Sequence, residues 1–289
     1  MAPESLDNHQ VFAAPAFVPL LKHNGLDTFA GVMALARGNM MRSVPGRSTV
    51  QIELRQPKGG TQVAYLKRYE ANYLKPLDRL KRLLHWPGAD DEAAHEWRMI
   101  MTLRDAGFNT PTPIATGQFK SGGSVTRSFL LTAEITGGEA AHECLRALKL
   151  QPRARRAFLR EVGAVSRQFH GAGFVHKDYY LSHLFVAPGV KPGERAFYFI
   201  DLQRLARPRL LNRRWRIKDA AQLAYSTLLD GATRADLLAC YLAYADRKTL
   251  DVEDRRWIRD VWQRVRGLQS RGPKYDVIWD KPGVRPRNV

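Results

Sequence analysis

Residues 175–183 read Val175-His176-Lys177-Asp178-Tyr179-Tyr180-Leu181-Ser182-His183, and residues 199–202 read Phe199-Ile200-Asp201-Leu202. Two short apolar runs, 184–186 and 196–200, lie between the two acids, joined by a turn-rich segment at 188–194. That is the signature of a β-hairpin. Just upstream, Phe158, Val162, Val165 and Phe169 recur at helical spacing through Pro152–Gly171, with arginines on the other faces. A long helix, a tight loop and a hairpin would bring Asp178 and Asp201 to one side of a cleft.

Working outward, the chain before the long helix reads mainly as strands. Residues 40–44 precede the turn Pro45-Gly46-Arg47-Ser48. Residues 49–55 alternate, with Val50, Ile52 and Leu54 on one face, and 62–69 carry Val63, Tyr65 and Lys67 on one side. Short turns between them predict an antiparallel meander. A helix over 90–105 is predicted from the stripe Ala93, Trp97, Ile100 and Arg104, with Asp90 or Asp91 as its cap and Gly107 as its stop. A strand at 128–135 ends before Gly137-Gly138. In the first forty residues the one expected element is a short helix within 26–36. From Asp219 to residue 268 the pattern is helical, and the tail from Gly272 reads as extended. Strands with one helix, then mostly helices, make an α+β chain of two lobes, divided as 1–135 and 136–289.

The chain has 289 residues, 44% of them hydrophobic, which suits a sizeable core, and its formal net charge is +18. Such a charge would attract nucleic acid, an anionic membrane face, a phosphorylated glycolipid or a small acidic protein. Two cysteines, Cys144 and Cys240, are too few for a disulfide framework and fit a reducing cytosol. Glu4 and Asp7 stand where a signal peptide would be basic, so none is expected. Pro15 and Pro19 break the apolar stretch at 11–21, so any membrane contact would be peripheral.

The acid–hairpin–acid order resembles the protein-kinase pattern H-x-D-x-x-x-x-N followed by D-x-x. Phosphoryl transfer needs a carboxylate beside the attacking hydroxyl and another to hold Mg²⁺ on the phosphates. Asp178 takes the first role in this reading and Asp201 the second. His183 stands at the position of a metal-binding Asn. Imidazole is a softer ligand than Mg²⁺ prefers, so either its role is altered or it orients phosphate or Asp201. Lys67 lies where the third-strand lysine would touch the phosphates of ATP, with Glu96 its partner and Glu92, one turn earlier, the competitor. Glu134 sits at the expected hinge. No G-x-G-x-x-G lies between the first strands; Gly46, Arg47, Ser48 and Thr49 are the candidates to meet phosphate oxygens instead. After Asp201 comes a basic run of Arg204, Arg207, Arg209, Arg213, Arg214, Arg216 and Lys218, suited to an acceptor bearing phosphates or carboxylates. Asp219 would begin the next helix, bracing the catalytic loop or only capping the helix.

Several pieces are similar to the lipopolysaccharide kinase family of the Kdo/WaaP type. They include Leu66-Lys67-Arg68-Tyr69, Glu96-Trp97, the stretch from His176 to His183, Ile200-Asp201-Leu202-Gln203-Arg204, and Arg213-Arg214-Trp215-Arg216-Ile217-Lys218-Asp219. The resemblance spans residues 40 to 230. It implies a protein-kinase-like bilobal fold with a small antiparallel-sheet N-lobe and a mostly helical C-lobe. It implies ATP and Mg²⁺ as cofactors, and a heptose or Kdo hydroxyl of the lipopolysaccharide inner core as acceptor, the heptose branch being the nearer. It also implies action at the cytoplasmic face of the inner membrane, whose anionic surface the +18 charge suits. Gln203 departs from the family's Asp-Leu-His-Arg, which bears on the sugar. Competing readings are a kinase of another hydroxyl (protein Tyr/Ser or a small molecule), a nucleotide-binding pseudokinase, and a charge-driven nucleic-acid binder. Against the last, the arginines cluster around the motif and no nucleic-acid recognition motif is present, so nucleic acid is not an expected partner.

Overall fold

The computed structural model describes residues 3–70, 91–121, 124–190, 193–208 and 213–270. Asp90 as a helix cap, Arg209 in the basic run and the tail from Gly272 lie outside the described residues. The chain divides into two compact units, one of Met1–Glu139 with Phe185–Leu205, the other of Ala140–Leu184 with Ala206–Val289.

The first unit is built on an antiparallel seven-stranded sheet. Its strands are β1 (Glu4–Leu6), β2 (Val11–Ala13), β3 (Asn39–Val44), β4 (Arg47–Arg55), β5 (Thr61–Glu70), β6 (Pro113–Ser121) and β7 (Ser124–Ala133). Their spatial order is β1-β2-β6-β7-β5-β4-β3. Alternation fixes which face is buried: Val50, Ile52 and Leu54 of β4 join Ala64 and Leu66 of β5 and Phe129 and Leu131 of β7 in one core. Helices α1 (Val18–His23) and α2 (Phe29–Ala34) add Leu20, Leu21, Phe29 and Val32 to that core. The helix expected within 26–36 is the six-residue α2, which starts where Thr28 accepts a hydrogen bond from the Gly31 N–H.

The turn between β3 and β4 is tighter than its sequence suggested. Val44 pairs directly with Arg47, so only Pro45 and Gly46 turn, and Gly46 takes φ +79°. Proline presets its own φ and glycine accepts the left-handed one, so two residues suffice. Arg47 and Ser48 therefore belong to β4 rather than to a loop.

Helix α3 (Glu92–Asp105) begins at Asp91, whose carboxylate accepts from the Ala93 N–H at 3.2 Å. Its buried face is Ala93, Glu96, Trp97, Ile100 and Leu103. Arg104, expected on that stripe, is exposed, and Leu103 takes its place. After α3, Phe108 meets Phe199 edge-on at 5.8 Å, and the Phe199 N–H donates to the Asn109 carbonyl at 3.0 Å. These contacts tie the hairpin β9 (Leu184–Pro188) and β10 (Arg195–Phe199) into the first unit. The short strand β8 (Glu139–Ala140) marks the passage to the second unit.

The second unit is helical: α4 (Ala141–Ala147), α5 (Pro152–Gly171), α6 (Arg213–Leu229), α7 (Arg234–Ala245) and α8 (Val252–Gln269). Ile217, Ala221 and Tyr225 of α6 pack with Val261 and Val265 of α8. Asp236 closes a capping box with Thr233 at the start of α7 and takes the buried Arg155 Nε at 2.8 Å. Burial opposes its charge, but the Thr233 hydrogen bonds and Arg155 outweigh burial and hold its pKa low.

Helices α5 and α7 approach most closely at Gly163, where a Cβ would stand 2.1 Å from the Cys240 carbonyl oxygen. Gly163→Ala should therefore cost about 1–3 kcal/mol through overpacking, against a helix-propensity gain of about 1 kcal/mol. A urea midpoint measures it, with Gly171→Ala, which meets nothing within 4 Å, as the control. Equal midpoints for both variants would show that the helices do not meet at Gly163.

Candidate active site

The first unit gathers five polar side chains, Arg47, Lys67, Tyr69, Glu96 and Gln203, around Asp201. Lys67 on β5 and Glu96 on α3 are both drawn to interior positions by the apolar residues flanking them. Lys67 Nζ donates to Glu96 Oε1 at 2.6 Å and reaches Asp201 Oδ1 at 3.5 Å. Glu96 is thus the partner of Lys67, rather than Glu92. The Leu202 N–H donates to the same Glu96 Oε1 at 3.2 Å, so the helix carboxylate also holds the backbone just after Asp201. Asp201 itself takes φ +56°, a left-handed conformation that Asp tolerates better than most residues.

Arg47 approaches from β4. It donates to Gln203 Oε1 at 2.7 Å, reaches Asp201 Oδ1 at 3.4 Å, and lies 5.5 Å over the Tyr69 ring. Gln203 Nε2 donates to the Tyr69 hydroxyl at 2.9 Å, and that hydroxyl donates to Glu96 Oε2 at 3.1 Å. Burial, then the charge of Glu96, pushes the Tyr69 phenol well above its usual pKa, so it keeps its proton. Burial works against the Arg47 charge, but Tyr69, Asp201 and Glu96 more than offset it.

The other nucleotide-side candidates are less involved. Ser48 faces Arg68 in the β4–β5 ladder, and Gly46 supplies the turn and a carbonyl to the Glu70 N–H. Glu134 follows β7, where its carboxylate is 3.5 Å from the Tyr65 hydroxyl and its N–H donates to the Val63 carbonyl. Arg204 is exposed at the end of the short turn Leu202–Arg204.

The second unit holds the loop with Asp178. Asp219 organises it from α6. One carboxylate oxygen accepts the His176 N–H at 2.7 Å and the other the Lys177 N–H at 2.9 Å. Asp219 lies six residues into α6, so it is neither the first residue of that helix nor its cap. Lys177 takes φ +66°. A side chain there costs about 1–3 kcal/mol and persists only where its surroundings impose it. The two Asp219 bonds, together with Lys218 Nζ donating to the Lys177 carbonyl, do so. Further along, the Tyr179 N–H donates to Gln222 at 3.2 Å and the Leu181 N–H to Ser226 at 2.9 Å. One face of α6 thus fixes the backbone on both sides of Asp178.

His183 Nδ1 lies 2.7 Å from the Asp178 carbonyl, which can only accept, so Nδ1 carries the proton. His183 also stacks on His176 at 5.7 Å and meets Tyr180 edge-on at 5.8 Å. Among the described residues no group of three His, Cys, Asp or Glu is gathered for a metal. Mg²⁺ needs no such group, since one or two carboxylates and substrate phosphates commonly hold it. Asp201, a hard oxygen donor a quarter exposed, fits that requirement.

The basic run is split in its roles. Arg207 packs on Phe174 and donates to the Ala172 carbonyl. Lys218 is used by the loop. Arg213 pairs with Asp260 at 2.6 Å, and Arg213 and Arg214 line an open depression of about 510 Å³ with Gln263 and Arg264. Tyr69, Gln203 and His170, which carry much of the wiring, were not assigned from sequence. Tyr69 had a usable signal: it lies two residues from Lys67 on one strand, hence on the same face.

Residues 33–244 match the model of the lipopolysaccharide kinase (Kdo/WaaP) family. The chain belongs to the lipopolysaccharide kinase (Kdo/WaaP) family. It is a protein-kinase-like phosphotransferase acting on a sugar hydroxyl, a lipopolysaccharide core kinase. It is 30% identical over 240 residues to the lipopolysaccharide core heptose(I) kinase WaaP of Escherichia coli K12, covering 79% of this chain and 86% of that one. With WaaP of Pseudomonas aeruginosa the identity is 30% over 234 residues, 79% and 84% of the two chains. A solved structure of WaaP in complex with acyl carrier protein superposes with TM-score 0.63 at 26% identity, covering 94% of this chain and 98% of that one.

In this lipopolysaccharide kinase, Asp219→Asn would set an amide N–H against one of the two loop donors. Turnover should fall roughly 100-fold, the cost of a small misplacement of the loop. Initial rates check it, and an unchanged rate would remove Asp219 from the account of the loop.

Proposed function

We propose that the chain transfers the γ-phosphate of ATP to a heptose hydroxyl of the lipopolysaccharide inner core. The observation that carries this is Lys67 held by Glu96 at 2.6 Å while facing Asp201 at 3.5 Å. A cation fixed by one buried acid beside a second, more exposed acid is what phosphate binding requires. Lys67 and Arg47 bind phosphate oxygens, with Gly46 and Ser48 framing the turn and Glu134 lying near the adenine. Asp201, with His183 as the second candidate, would hold Mg²⁺, which supplies charge neutralisation on the phosphates. Asp178 orients the acceptor hydroxyl and takes up its proton. Arg204, Arg207, Arg213, Arg214 and Lys218 belong to the acceptor side, where guanidinium groups suit core phosphates and carboxylates. The first unit thus carries Lys67, Arg47 and Asp201 for the nucleotide, and the second carries Asp178, Arg207, Arg213, Arg214 and Lys218 for the acceptor.

The heptose assignment is supported by the two relatives named heptose(I) kinase. The +18 charge suits an anionic membrane surface on the cytoplasmic side, where a peripheral enzyme would meet its glycolipid. No helix among the described residues is long and apolar enough to cross a membrane. A small acidic protein is a second partner compatible with that charge, and a solved relative is in complex with acyl carrier protein.

The test is transfer of labelled γ-phosphate from Mg²⁺-ATP to dephosphorylated lipopolysaccharide core, with Asp178→Ala alongside. Wild type should label the core. Asp178→Ala should lose nearly all turnover while still binding ATP, and turnover retained in that variant would sink the assignment of Asp178.

A further inference from the structure

The five side chains around Asp201 form a closed circuit with it. Arg47 donates to Gln203, Gln203 to Tyr69, and Tyr69 to Glu96. Glu96 takes Lys67, and Lys67 and Arg47 both face Asp201 Oδ1. The direction of every bond is forced. Lys and Arg can only donate, an ionised carboxylate can only accept, and the Tyr69 proton goes to Glu96. The Gln203 amide must therefore turn its oxygen to Arg47 and its nitrogen to Tyr69. Two cations are the donors, two carboxylates the final acceptors, and Gln203 and Tyr69 are the neutral links.

Among the described residues, only those links connect Arg47 to the Lys67–Glu96 pair on the side away from Asp201. Tyr69 is 4% exposed, so water cannot readily replace them. Arg47 Nε is buried and has no acceptor among the described residues, while the side chain as a whole is 20% exposed, so its outer N–H groups can meet an incoming phosphate oxygen. Arg47 extends from the first residue of β4, and the short Pro45–Gly46 turn has no run of glycine N–H groups to enclose a phosphate.

We infer that Tyr69 and Gln203 are positioning residues that set nucleotide affinity by aiming Arg47, alongside Lys67, at the phosphates. They touch no substrate. They act through Arg47 and Glu96, and they give this chain a side-chain substitute for the glycine-rich loop it lacks. The inference rests on the reading of the first unit as the ATP side.

The experiment measures Mg²⁺-ATP affinity and KM for Gln203→Leu, Tyr69→Phe, the double variant and Gln203→His. Each of the first two removes two hydrogen bonds, the neutral one between Gln203 and Tyr69 and one to a charged group, Arg47 or Glu96, so each should weaken ATP roughly ten-fold, with kcat changed far less. Because the links are in series, the double variant should lose about the same ten-fold rather than a hundred-fold. Gln203→His should distinguish positioning from packing. A neutral imidazole has one acceptor and one donor, like the amide, but an imidazolium has two donors and cannot accept from Arg47. ATP affinity in Gln203→His should be near that of wild type at pH 8 and fall as the pH drops through about 6.5, while wild type and Gln203→Leu show no such step.

Unchanged ATP affinity in Gln203→Leu and Tyr69→Phe would overturn the inference. So would losses that multiply in the double variant, or a Gln203→His variant as weak at pH 8 as at pH 6. Failure of the proposed function is read separately, as wild type binding ATP but labelling no core. The binding series still decides the circuit in that case.

Discussion

The carboxylate of Glu96 is 2% exposed and accepts three hydrogen bonds, from Lys67, Tyr69 and the Leu202 N–H. A buried carboxylate is tolerated only when its charge is matched and its lone pairs are filled. Glu96 meets that demand with groups from two separate places: strand β5, which supplies Lys67 and Tyr69, and the turn after Asp201. Removing Lys67 would leave that charge uncompensated in the interior, at a cost of about 3–5 kcal/mol for a broken buried ion pair. The position of α3 against the sheet is therefore tied to the position of Asp201. Structural and chemical requirements meet in one side chain.

Asp219 plays the corresponding part in the helical unit. It is fully buried and accepts from the His176 and Lys177 N–H groups, while His170 Nε2 lies 3.3 Å away and His170 Nδ1 meets the Tyr244 hydroxyl at 3.0 Å. Its charge is met by two backbone N–H dipoles and the His170 ring. The loop it holds contains a left-handed lysine that would relax without it. Each unit thus places an acid in its interior to keep a second, more exposed acid in position: Glu96 for Asp201 and Asp219 for Asp178.

Much of this was legible before the fold. Val50, Ile52 and Leu54 declared the buried face of β4, and Pro152–Gly171 gave a helix with matching ends. A strand lysine ahead of a helix with two candidate acids narrowed the partner of Lys67 to Glu96 or its competitor Glu92. The misreadings have identifiable causes. Arg47 was taken as a loop residue because proline and glycine mark a turn without stating how short it is. Arg104 was placed on the buried stripe because a 3.6-residue period places Leu103 and Arg104 almost equally well. Of the two roles the sequence offers Asp219, bracing the loop holds and capping does not: an acid after a basic run looks like a helix start, but the run is itself helical from Arg213.

The sequence by itself determined the α+β class, the helix–loop–hairpin order around Asp178 and Asp201, and the acids that could serve phosphoryl transfer, because these depend on local periodicity and on residue chemistry; β1, β2, α1 and β6 came only with the structure. Tertiary structure alone decided that Glu96 rather than Glu92 meets Lys67, that Gln203 and Tyr69 link Arg47 to that pair, and that Lys218 serves the loop. Such pairings join residues far apart along the chain. Only packing brings them within hydrogen-bonding distance, and only burial makes an unmet polar group costly enough to fix them.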